Sequence, residues 1–407
     1  MRDTELYRHL LGLTDPWIVG LVELDVKAQR VDVWASHPEG TRFPCPECGT
    51  LFSVRDHVER TWRHLDSCQF RTFFHVRVPR VECPTHKAKV VRVPWAEPGS
   101  QFTALFERWA IDLLQECSTQ GAADLLRISW DEAWGIQERA VARGLSRRQA
   151  EVVAHVGVDE KAAAKGHDYL TIVADLDRSR VLYVAEDRKQ ESLEGFWTTL
   201  TPAQLEGITA MAMDMWEPYI LSARAHLPDA EAKIVFDKFH VEKHVHEAVD
   251  KIRRQEHRAL LQAEDERLKG TKYLWLMRPT AMTPEQRAAF RTLEHSELKA
   301  ARGWALKERF RHFWGYTYPG AATRFFARWF WRATHSRLKP MAEVAHLIKR
   351  RLPNLLTYLR HRITNAGLEA VNATIEWVKK TARGFRNRQH FMTAIYFHCG
   401  GLDLYPQ

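Results

Sequence analysis

The N-terminal part of the chain alternates apolar and polar positions with a period of two residues, which is typical of β-strands. After a short opening helix, strands are predicted around residues 17–24 and 30–36. The clearest run is 69–83, in which every second residue from Phe70 to Val78 falls on one side. Residues 1–98 are therefore predicted to form a β-rich N-terminal module.

Beyond Pro98 the apolar positions recur with the spacing of an α-helix. An amphipathic helix is predicted from Phe102, followed by a short helix over 120–127 and a longer one over 130–143. Three helices with a short central turn resemble a helix-turn-helix unit, in which the last helix enters the major groove of DNA. Residues 99–150 are predicted to be such a unit, although any small helical bundle shows the same pattern.

Local signals set the bounds of the third helix in this group. Ser129 with Glu132 has the spacing of a capping box, and Gly144 is the predicted helix stop. Polar side chains from this group can supply phosphate or base contacts. The candidates are Arg127, Gln137, Arg139 and Arg143.

A β-rich pattern follows, with three strands, a helix, a strand, a second helix and a last strand. This order predicts a mixed α/β sheet over residues 151–240. The chain then becomes almost purely helical to about Arg383. A helical stretch, 241–359, is thereby predicted to separate the sheet from a C-terminal part, 360–407.

The composition is that of a globular protein with several domains, since 407 residues include 45% hydrophobic and 27% charged residues. There is no apolar run long enough to cross a membrane, and the charged N-terminus does not fit a signal peptide. Six cysteines are too few for a disulfide scaffold. The reducing cytoplasm is therefore the expected location.

The net charge of +9 is distributed unevenly along the chain. Between Glu242 and His390 there are 31 Lys and Arg residues against 14 Asp and Glu, whereas the remainder is mildly acidic. A one-sided positive charge of this size indicates a polyanionic partner.

Two pairs of potential metal ligands stand three residues apart in the β-rich module, in the runs CPEC and CPTH. Three thiolates and one imidazole on adjoining turns suit a structural, tetrahedral Zn²⁺ site. The predicted ligands are Cys45, Cys48, Cys83 and His86. A mixed set that uses Cys68 or His64 and a module with unligated thiols are the alternatives.

Carboxylates at strand ends form the second candidate site. Asp159 ends the first strand of the predicted sheet and Asp214 ends the fourth, and these two strands are expected to be neighbours. Glu369, in the later helical region, is the best third carboxylate. Three carboxylates can hold two Mg²⁺ ions, with Mn²⁺ as a substitute, and such ions catalyse phosphodiester cleavage and transfer. Taken singly, each acid is more often a turn or cap residue.

Residues near these carboxylates have two interpretations each. Asp237 and His240 follow the next strand and can line the same site. For the clustered histidines of this region, however, the preferred interpretation is that they lie on the surface of a helix. A zincin motif is absent, because Asp250 stands where its second histidine is needed. Trp216, beside Asp214, can stack on a DNA base or pack against the wall of the site.

The helical stretch interleaves Arg and Lys with many aromatic residues between Arg302 and Lys339. Helical spacing favours a bundle core for most of these aromatics. Outward cations would neutralise phosphates, and one or two exposed aromatics could stack on unpaired bases. A second basic cluster follows Glu369, formed by Arg383, Arg386 and Arg388.

Several ordered segments resemble the transposases of the ISL-three family of bacterial insertion sequences. They are VGVDEKAAAKGHDYLTIVADLDRSRVLYVAEDR, ITAMAMDMWEPYI, IVFDKFHV, AVDKIRRQE and TNAGLEAVNATIEWVKKTARGFRN. The runs CPECG and VECPTH look like the zinc-binding module of that family. The resemblance extends from about residue 40 to the C-terminus.

This resemblance implies a DDE catalytic triad in a ribonuclease H-like core. By motif the triad falls on Asp159 in GVDE, Asp214 in MDMW and Glu369 in TNAGLEAVN. The implied fold is multidomain α+β: a β-rich zinc-binding module, a helix-turn-helix, and a ribonuclease H-like mixed α/β core that an all-helical insertion interrupts. Two departures are Ala370, where glycine is expected, and His86, where cysteine is expected.

The chain is accordingly predicted to be a transposase that binds terminal inverted repeats, cuts there and joins the freed 3′-hydroxyl ends to target DNA. A homodimer is expected because two ends must be paired. The expected location is the bacterial cytoplasm, with the protein on the nucleoid when it is bound to DNA. The alternatives are a catalytically inactive or domesticated DNA-binding regulator and a ribonuclease H-like nuclease without strand transfer.

Overall fold

The computed structural model describes residues 2–164 and 168–407, which divide into two compact units. The first unit comprises Met1–Arg148, Val378–Arg383 and Tyr396–Gln407. The second unit comprises Gln149–Trp377 and Gly384–Ile395. Within the described residues, no helix combines the length and the apolar character that a membrane crossing requires.

The first unit begins with helix α1 (Asp3–Leu10) and a six-stranded sheet. The strands are β1 (Ile18–Asp25), β2 (Arg30–Ser36), β3 (Arg42–Pro44), β4 (Leu51–Ser67), β5 (Phe70–Cys83) and β6 (Lys87–Val90). Their order is β1-β2-β5-β4-β3, with β6 paired to β5, and β2 with β5 is the parallel pair. The predicted alternation in β5 is confirmed, because Phe74, Val76 and Val78 are buried. Burial of this apolar face holds the sheet together.

Three helices follow in the first unit: α2 (Ala104–Glu116), α3 (Thr119–Leu126) and α4 (Trp130–Arg147). A side-chain oxygen caps each helix, from Thr103, Ser118 and Ser129 respectively. The capping box predicted for α4 is confirmed, since Ser129 and Glu132 bond each other reciprocally. Alanines and branched aliphatic residues fill the core between these helices.

The predicted helix stop at Gly144 is wrong, because α4 continues to Arg147. Glycine is needed there for close packing: a Cβ at position 144 would lie 2.6 Å from Leu402 Cβ. The C-terminal segment 396–407, predicted as part of the catalytic core, therefore lies in the first unit. Its Phe397 and Leu404 belong to the core of the three helices.

Replacing Gly144 by Ala is expected to lower the free energy of unfolding by about 1–3 kcal/mol, since the added methyl group overpacks the contact with Leu402. Gly135→Ala in the same helix is the matched control, because a Cβ there meets only the end of the Arg139 side chain, at 3.4 Å. That control is expected to be neutral or to stabilise the protein by up to about 1 kcal/mol. Denaturant unfolding of both variants measures the difference, and equal effects would contradict the packing role of Gly144.

The second unit contains a five-stranded mixed sheet with the order β11-β10-β7-β8-β9. The strands are β7 (His155–Ala164), β8 (Asp168–Asp175), β9 (Arg180–Glu186), β10 (Ala210–Met213) and β11 (Ile234–Phe236). Strands β7, β8 and β9 are antiparallel, whereas β10 runs parallel to both β7 and β11. The predicted pairing of the first strand with the fourth is thus confirmed.

Four helices connect these strands, and helices also make up most of the remainder of the second unit. The connecting helices are α5 (Gln190–Thr198), α6 (Pro202–Gly207), α7 (Glu217–His226) and α8 (Ala230–Lys233). The later helices are α9 (Lys238–Gln262), α10 (Lys272–Leu276), α11 (Pro284–Glu294), α12 (Lys299–Arg311), α13 (Pro319–Thr334), α14 (Lys339–Arg350), α15 (Leu352–His361), α16 (Ala366–Thr381) and α17 (Arg388–Cys399). Most aromatic residues of α12 and α13 are buried or half-buried, as their helical spacing predicts.

Candidate functional site

The four predicted zinc ligands come together where β3 and β5 end. Cys45 Sγ lies 3.8 Å from His86 Nδ1, Cys48 Sγ lies 3.9 Å from Cys83 Sγ, and Cys83 Sγ lies 3.4 Å from His86 Nδ1. A tetrahedral Zn²⁺ with ordinary bond lengths separates its S and N ligands by about 3.5–3.8 Å. Within the described residues, this is the one group of three or more potential ligands whose atoms all lie within 4.8 Å of one another.

The backbone of the first knuckle holds its cysteines in place. The Cys45 N–H donates to the Thr50 carbonyl and the Gly49 N–H donates to the Cys45 carbonyl, both at 2.9 Å. Gly49 adopts φ +73°, which glycine tolerates best. Hydrogen bonds from Thr50 lower the pKa of Cys48 to about 6. The thiolate, which is the metal-binding form, is therefore favoured before any ion arrives.

The alternative zinc ligands lie elsewhere. His64 is buried, with Nδ1 2.9 Å from Thr103 Oγ1, and burial lowers its pKa to about 4. Cys68 is exposed at the turn between β4 and β5. The fit of the cluster to zinc therefore depends on Cys45, Cys48, Cys83 and His86 alone.

Three aspartates lie in register where the parallel pairing of three adjacent strands ends; β7 itself continues to Ala164, so the prediction that Asp159 ends its strand is wrong. Strand β10 aligns Ala212 with Gly157 of β7 and with Val235 of β11. Two residues beyond each of these positions come Asp159, Asp214 and Asp237. Because paired positions of neighbouring strands lie side by side, this register brings the aspartates close together, as the strand order predicts for Asp159 and Asp214.

Asp159 is held between its own strand and α16. Its Oδ1 accepts from the Glu160 N–H at 2.8 Å, and its Oδ2 accepts from Asn372 Nδ2 at 2.7 Å. Burial raises the pKa of Asp159, and the negative charge of Asp214 raises it further. Two carboxylates that disfavour each other's charge form a site for a cation.

Asp214 has a direct charged neighbour in His240, whose Nδ1 contacts Asp214 Oδ1. The same Nδ1 lies 3.3 Å from Asp237 Oδ2. The contacts with Asp214 and then Asp237 raise the pKa of His240 to about 10. His240 is therefore a member of the aspartate cluster, and the sequence-based preference for a helix-surface histidine is wrong. Its signal was its position one turn into the helix that follows β11.

The imidazole of His240 is expected to titrate near pH 10 in the metal-free protein and to move towards about 6.5 in Asp214→Asn. Since the folded pKa is raised, the ion pair stabilises the fold fully below about pH 6.5, and this contribution is lost as the pH rises through about 10. Histidine NMR titration, with the signal assigned by His240→Gln, measures it. Titration of the wild type near 6.5 would contradict the ion pair.

Helix α16 carries the third predicted carboxylate. Glu369 lies in its first turn and is exposed, and Asn372, three residues later, is the residue that bonds Asp159. Lys161 of β7 contacts the same helix at Glu376, at 2.9 Å. Within the described residues, Asp159, Asp214 and Glu369 do not form a set whose oxygens all lie within 4.8 Å of one another. The structure thus gathers the aspartates and anchors the Glu369 helix to one of them.

Two glycines let α16 approach the sheet closely, and sequence reasoning missed both. A Cβ at Gly157 would lie 2.5 Å from Leu368 Cδ1, and a Cβ at Gly367 would lie 2.7 Å from the Leu176 carbonyl oxygen. The glycine expected after Glu369 is replaced by Ala370. Close approach in this chain is achieved at positions 157 and 367, in the runs VGVD and NAGLE that precede the predicted carboxylates.

The DNA-contact residues predicted on α3 and α4 need correction. Gln137 and Arg143 are buried, and Arg143 bonds the carboxylates of Glu97 and Glu107. Arg139 also pairs with Glu107, at 2.6 Å. The buried Gln137 and Arg143 do not face solvent as DNA contacts require, whereas Arg139 is half-buried and keeps part of its side chain exposed. Arg127 remains exposed, although it contacts Asp66.

The other predicted DNA contacts lie at the surface. Trp216 is 38% exposed; its Nε1 donates to the Arg188 carbonyl at 2.8 Å, and the Arg188 guanidinium lies 4.7 Å from its ring. Arg383 and Arg386 are exposed. Arg388 is also exposed but pairs with Glu186 and Asp168, at 2.8 and 3.1 Å.

A zinc-binding knuckle pair, a helix-turn-helix group and an α/β sheet with clustered aspartates together define a multidomain protein that acts on DNA. Comparison with known families gives the same answer in three consecutive parts. Residues 41–86 match the zinc-finger of transposases IS204/IS1001/IS1096/IS1165, and residues 91–141 match the helix-turn-helix domain of transposase family ISL3. Residues 156–395, more than half of the chain, match the ISL3 transposase domain. The chain belongs to the ISL3 family of transposases.

Similar curated proteins agree with this assignment. The transposase for insertion sequence element IS1001 of Bordetella parapertussis is 26% identical over 86% of this chain and 87% of its own length. The transposase for insertion sequence element IS1557 of Mycobacterium tuberculosis is 28% identical over 96% of this chain and 94% of its own. The helix-turn-helix interpretation is confirmed, and the zinc-finger match together with the Cys3His cluster supports a structural zinc site.

Proposed function

We propose that this chain is a DDE transposase that binds the terminal inverted repeats of its insertion sequence and hydrolyses phosphodiester bonds at the element ends. It then transfers the freed 3′-hydroxyl ends to target DNA. The observation that carries the proposal is the register of Asp159, Asp214 and Asp237 at one sheet edge, with α16 bonded to the first of them. Such an edge suits metal-dependent phosphoryl transfer.

The catalytic part is a ribonuclease H-like core with an inserted helical domain. Three antiparallel strands followed by two parallel ones, with the first strand central, support this core. Its first part is residues 151–240, and its last part begins at residue 360 with the Glu369 helix, whereas residues 396–407 belong to the first unit. The intervening residues, 241–359, are helices in the described structure. They form the insertion; the other proposed domains are a helix-turn-helix over 99–150 and a zinc-binding module within 1–98.

Asp159, Asp214 and Glu369 are the residues that would hold two Mg²⁺ ions, or Mn²⁺ in their place. The donor set fits hard cations, because Asp159 and Asp214 are oxygen ligands whose charges repel each other. Such ions supply activation of a water or 3′-hydroxyl and neutralisation of charge on the leaving oxygen. Glu369 lies in the first turn of α16, the helix whose Asn372 bonds Asp159, so it is placed on the element that is tied to the aspartates.

Neighbouring residues of the chain prepare the two aspartates. Asn372 donates to Asp159 Oδ2 and thereby fixes the orientation of the carboxylate. His240 neutralises Asp214 and holds its Oδ1 until a cation replaces that contact. His240 and Asn372 are therefore positioning residues, because they act through the carboxylates and not on DNA.

Several parts of the chain contact DNA in this proposal. The helix-turn-helix reads the repeats, with Arg127 and the half-buried Arg139 as its candidate cations. Arg383, Arg386 and Arg388 hold phosphates, and Trp216 packs against DNA near Asp214. The protein is a homodimer when it acts, because two element ends must be paired.

A strand-joining assay tests the function. Purified protein is incubated with Mg²⁺, a donor plasmid that carries the element with its flanks, and a target plasmid. Joined donor–target products are expected, and chelation of the metal is expected to remove them. Cleavage without joining would instead indicate a nuclease, and end binding without cleavage would indicate a regulator. Either result contradicts the proposal.

A further inference from the structure

Helix α13 has one buried face and one exposed face. The buried face packs into the core of the second unit and consists of Ala322, Phe326, Trp329 and Ala333. On the opposite side the helix presents cations and one large aromatic residue. These exposed residues are Arg324, Arg328, Trp331, Arg332 and His335, called here the α13 face. They recur at spacings of three and four residues, so they line one side of the helix.

All Lys, Arg, Asp and Glu residues in the segment around the α13 face are Lys or Arg. From Arg309 to Ala342 the chain contains seven Lys and Arg residues and no Asp or Glu. In the described part of the chain, no carboxylate forms an ion pair with Arg324, Arg328 or Arg332. Arg388, by comparison, pairs with Glu186. The free cations of this face are therefore available for an anionic partner.

Trp331 lies within this positive face, exposed and with its ring fixed by a neighbouring side chain. Its side chain is 61% exposed, and its ring stacks on His335 with centroids 4.6 Å apart and planes inclined by 20°. His335 Nδ1 lies 2.8 Å from the Trp331 carbonyl oxygen, which fixes the imidazole under the indole. A large aromatic side chain that is ordered but not covered loses little conformational entropy when a partner stacks on it.

We propose that the α13 face binds an unpaired DNA strand, with the three arginines on its phosphates and Trp331 stacked on a base. Phosphates with accessible base faces match both features of the surface, since stacking platforms beside cations bind single strands. A second copy of this chain fits poorly, because a symmetric contact would oppose identical positive charges. The choice of DNA as the nucleic acid rests on the proposed function.

Binding without metal tests this face separately from catalysis. The probes are a fluorescent oligothymidine of about 12 nucleotides and a fully paired duplex of the same length. Trp331→Leu is expected to weaken oligothymidine binding at least about fivefold, whereas Trp331→Phe retains most of the affinity because it keeps a ring to stack on. Duplex binding is expected to change much less.

The arginines are tested through the salt dependence of the same binding. Removing Arg324, Arg328 and Arg332 together is expected to reduce the slope of log affinity against log salt by about 2, since each phosphate contact on a single strand contributes about 0.7. Tyr273→Ala is the matched control, because Tyr273 is a 68% exposed aromatic beside Lys272 on another helix. It is expected to leave oligothymidine binding unchanged.

Three results would overturn the proposal. They are unchanged oligothymidine affinity in Trp331→Leu, an equal loss in Tyr273→Ala, and loss of self-association in Trp331→Leu with DNA affinity intact. The last would make the face a contact between copies. Because no metal or cleavage is involved, a wild type that binds the strand but never joins ends would refute only the proposed function.

Discussion

Asp159→Asn and Asp214→Asn are each expected to abolish cleavage and joining while leaving binding of the element ends intact. Asparagine keeps the shape of the side chain but removes the negative charge that a divalent cation requires. The transition-state stabilisation supplied by such ions amounts to several kcal/mol, so the rate is expected to fall by about 10³-fold or more. Single-turnover cleavage with Mg²⁺ and a separate end-binding assay measure the two effects.

Glu369→Gln is expected to give the same loss. Glutamine keeps the shape of the side chain but removes the charge that a divalent cation requires, and Glu369 lies on the helix that is bonded to Asp159. Its substitution should leave the stability of the free protein almost unchanged, because the side chain is exposed. Asp214→Asn, by contrast, removes the partner of His240 and should lower the pKa of that imidazole in the free protein.

Asp175→Asn is the matched control for these variants. Asp175 is also a buried aspartate at a strand end, but it pairs with Val156 and so lies at the opposite edge of the sheet. Its carboxylate accepts backbone N–H groups of the turn and pairs with Arg180, at 3.2 Å. Lower stability with normal cleavage is expected. Unchanged cleavage by Asp214→Asn would refute the assignment of the site.

Cys45→Ser is expected to lose zinc and to unfold the region around the knuckles. Structural Zn²⁺ contributes about 10–16 kcal/mol of binding free energy in small zinc modules, and that energy is available only to the folded form. Cys45 is buried, and a serine there would place a hydroxyl in the cluster that does not replace the thiolate as a zinc ligand. Loss of a residue that hydrogen-bonds a metal ligand lowers metal affinity by about 10–100-fold. Loss of the ligand Cys45 itself is expected to lower zinc affinity by more than this.

Zinc stoichiometry by elemental analysis and thermal unfolding with and without chelator measure this effect. Cys68→Ser is the control, because Cys68 is an exposed cysteine of the same module outside the cluster. It should keep full zinc and lose no stability on this account. Undiminished stoichiometry in both Cys45→Ser and Cys48→Ser would refute the ligand set.

Loss of zinc is expected to weaken DNA binding as well. The zinc-binding sheet and the three helices belong to one unit, in which the Arg63 N–H donates to the Gln101 carbonyl and the Thr103 N–H to the Arg63 carbonyl. His64 of the sheet also contacts Thr103, which caps α2. Disorder in the sheet would therefore remove support from the start of the helix-turn-helix.

The DNA contacts predicted on α4 illustrate a limit of sequence reasoning. Arg139 and Arg143 are four residues apart on a helix, a pattern that usually marks a solvated face. Their partner Glu107 resembles a surface residue of α2 by sequence, yet it is among the most buried acids of the chain. A buried ion-pair network and an exposed basic face have the same local pattern, and only the packing of α2 against α4 distinguishes them.

By itself, the sequence determined the features that depend on local spacing. Strand periodicity, helix caps, the two knuckles and the order of elements follow from residues a few positions apart, whose geometry the backbone restricts. The proximity of Asp159 and Asp214 could also be predicted from the sequence, because the expected strand order makes their strands neighbours.

The tertiary structure decided what depends on contacts between distant segments. It placed His240 against Asp214, tied Asn372 to Asp159 across 213 residues and set Gly144 against the C-terminal segment. It also distinguished the arginines of α4 that pair with Glu107 from the exposed arginines of α13. Burial and charge pairing are properties of packed surfaces, and a one-dimensional pattern specifies which side of a helix is apolar but not which partner covers it.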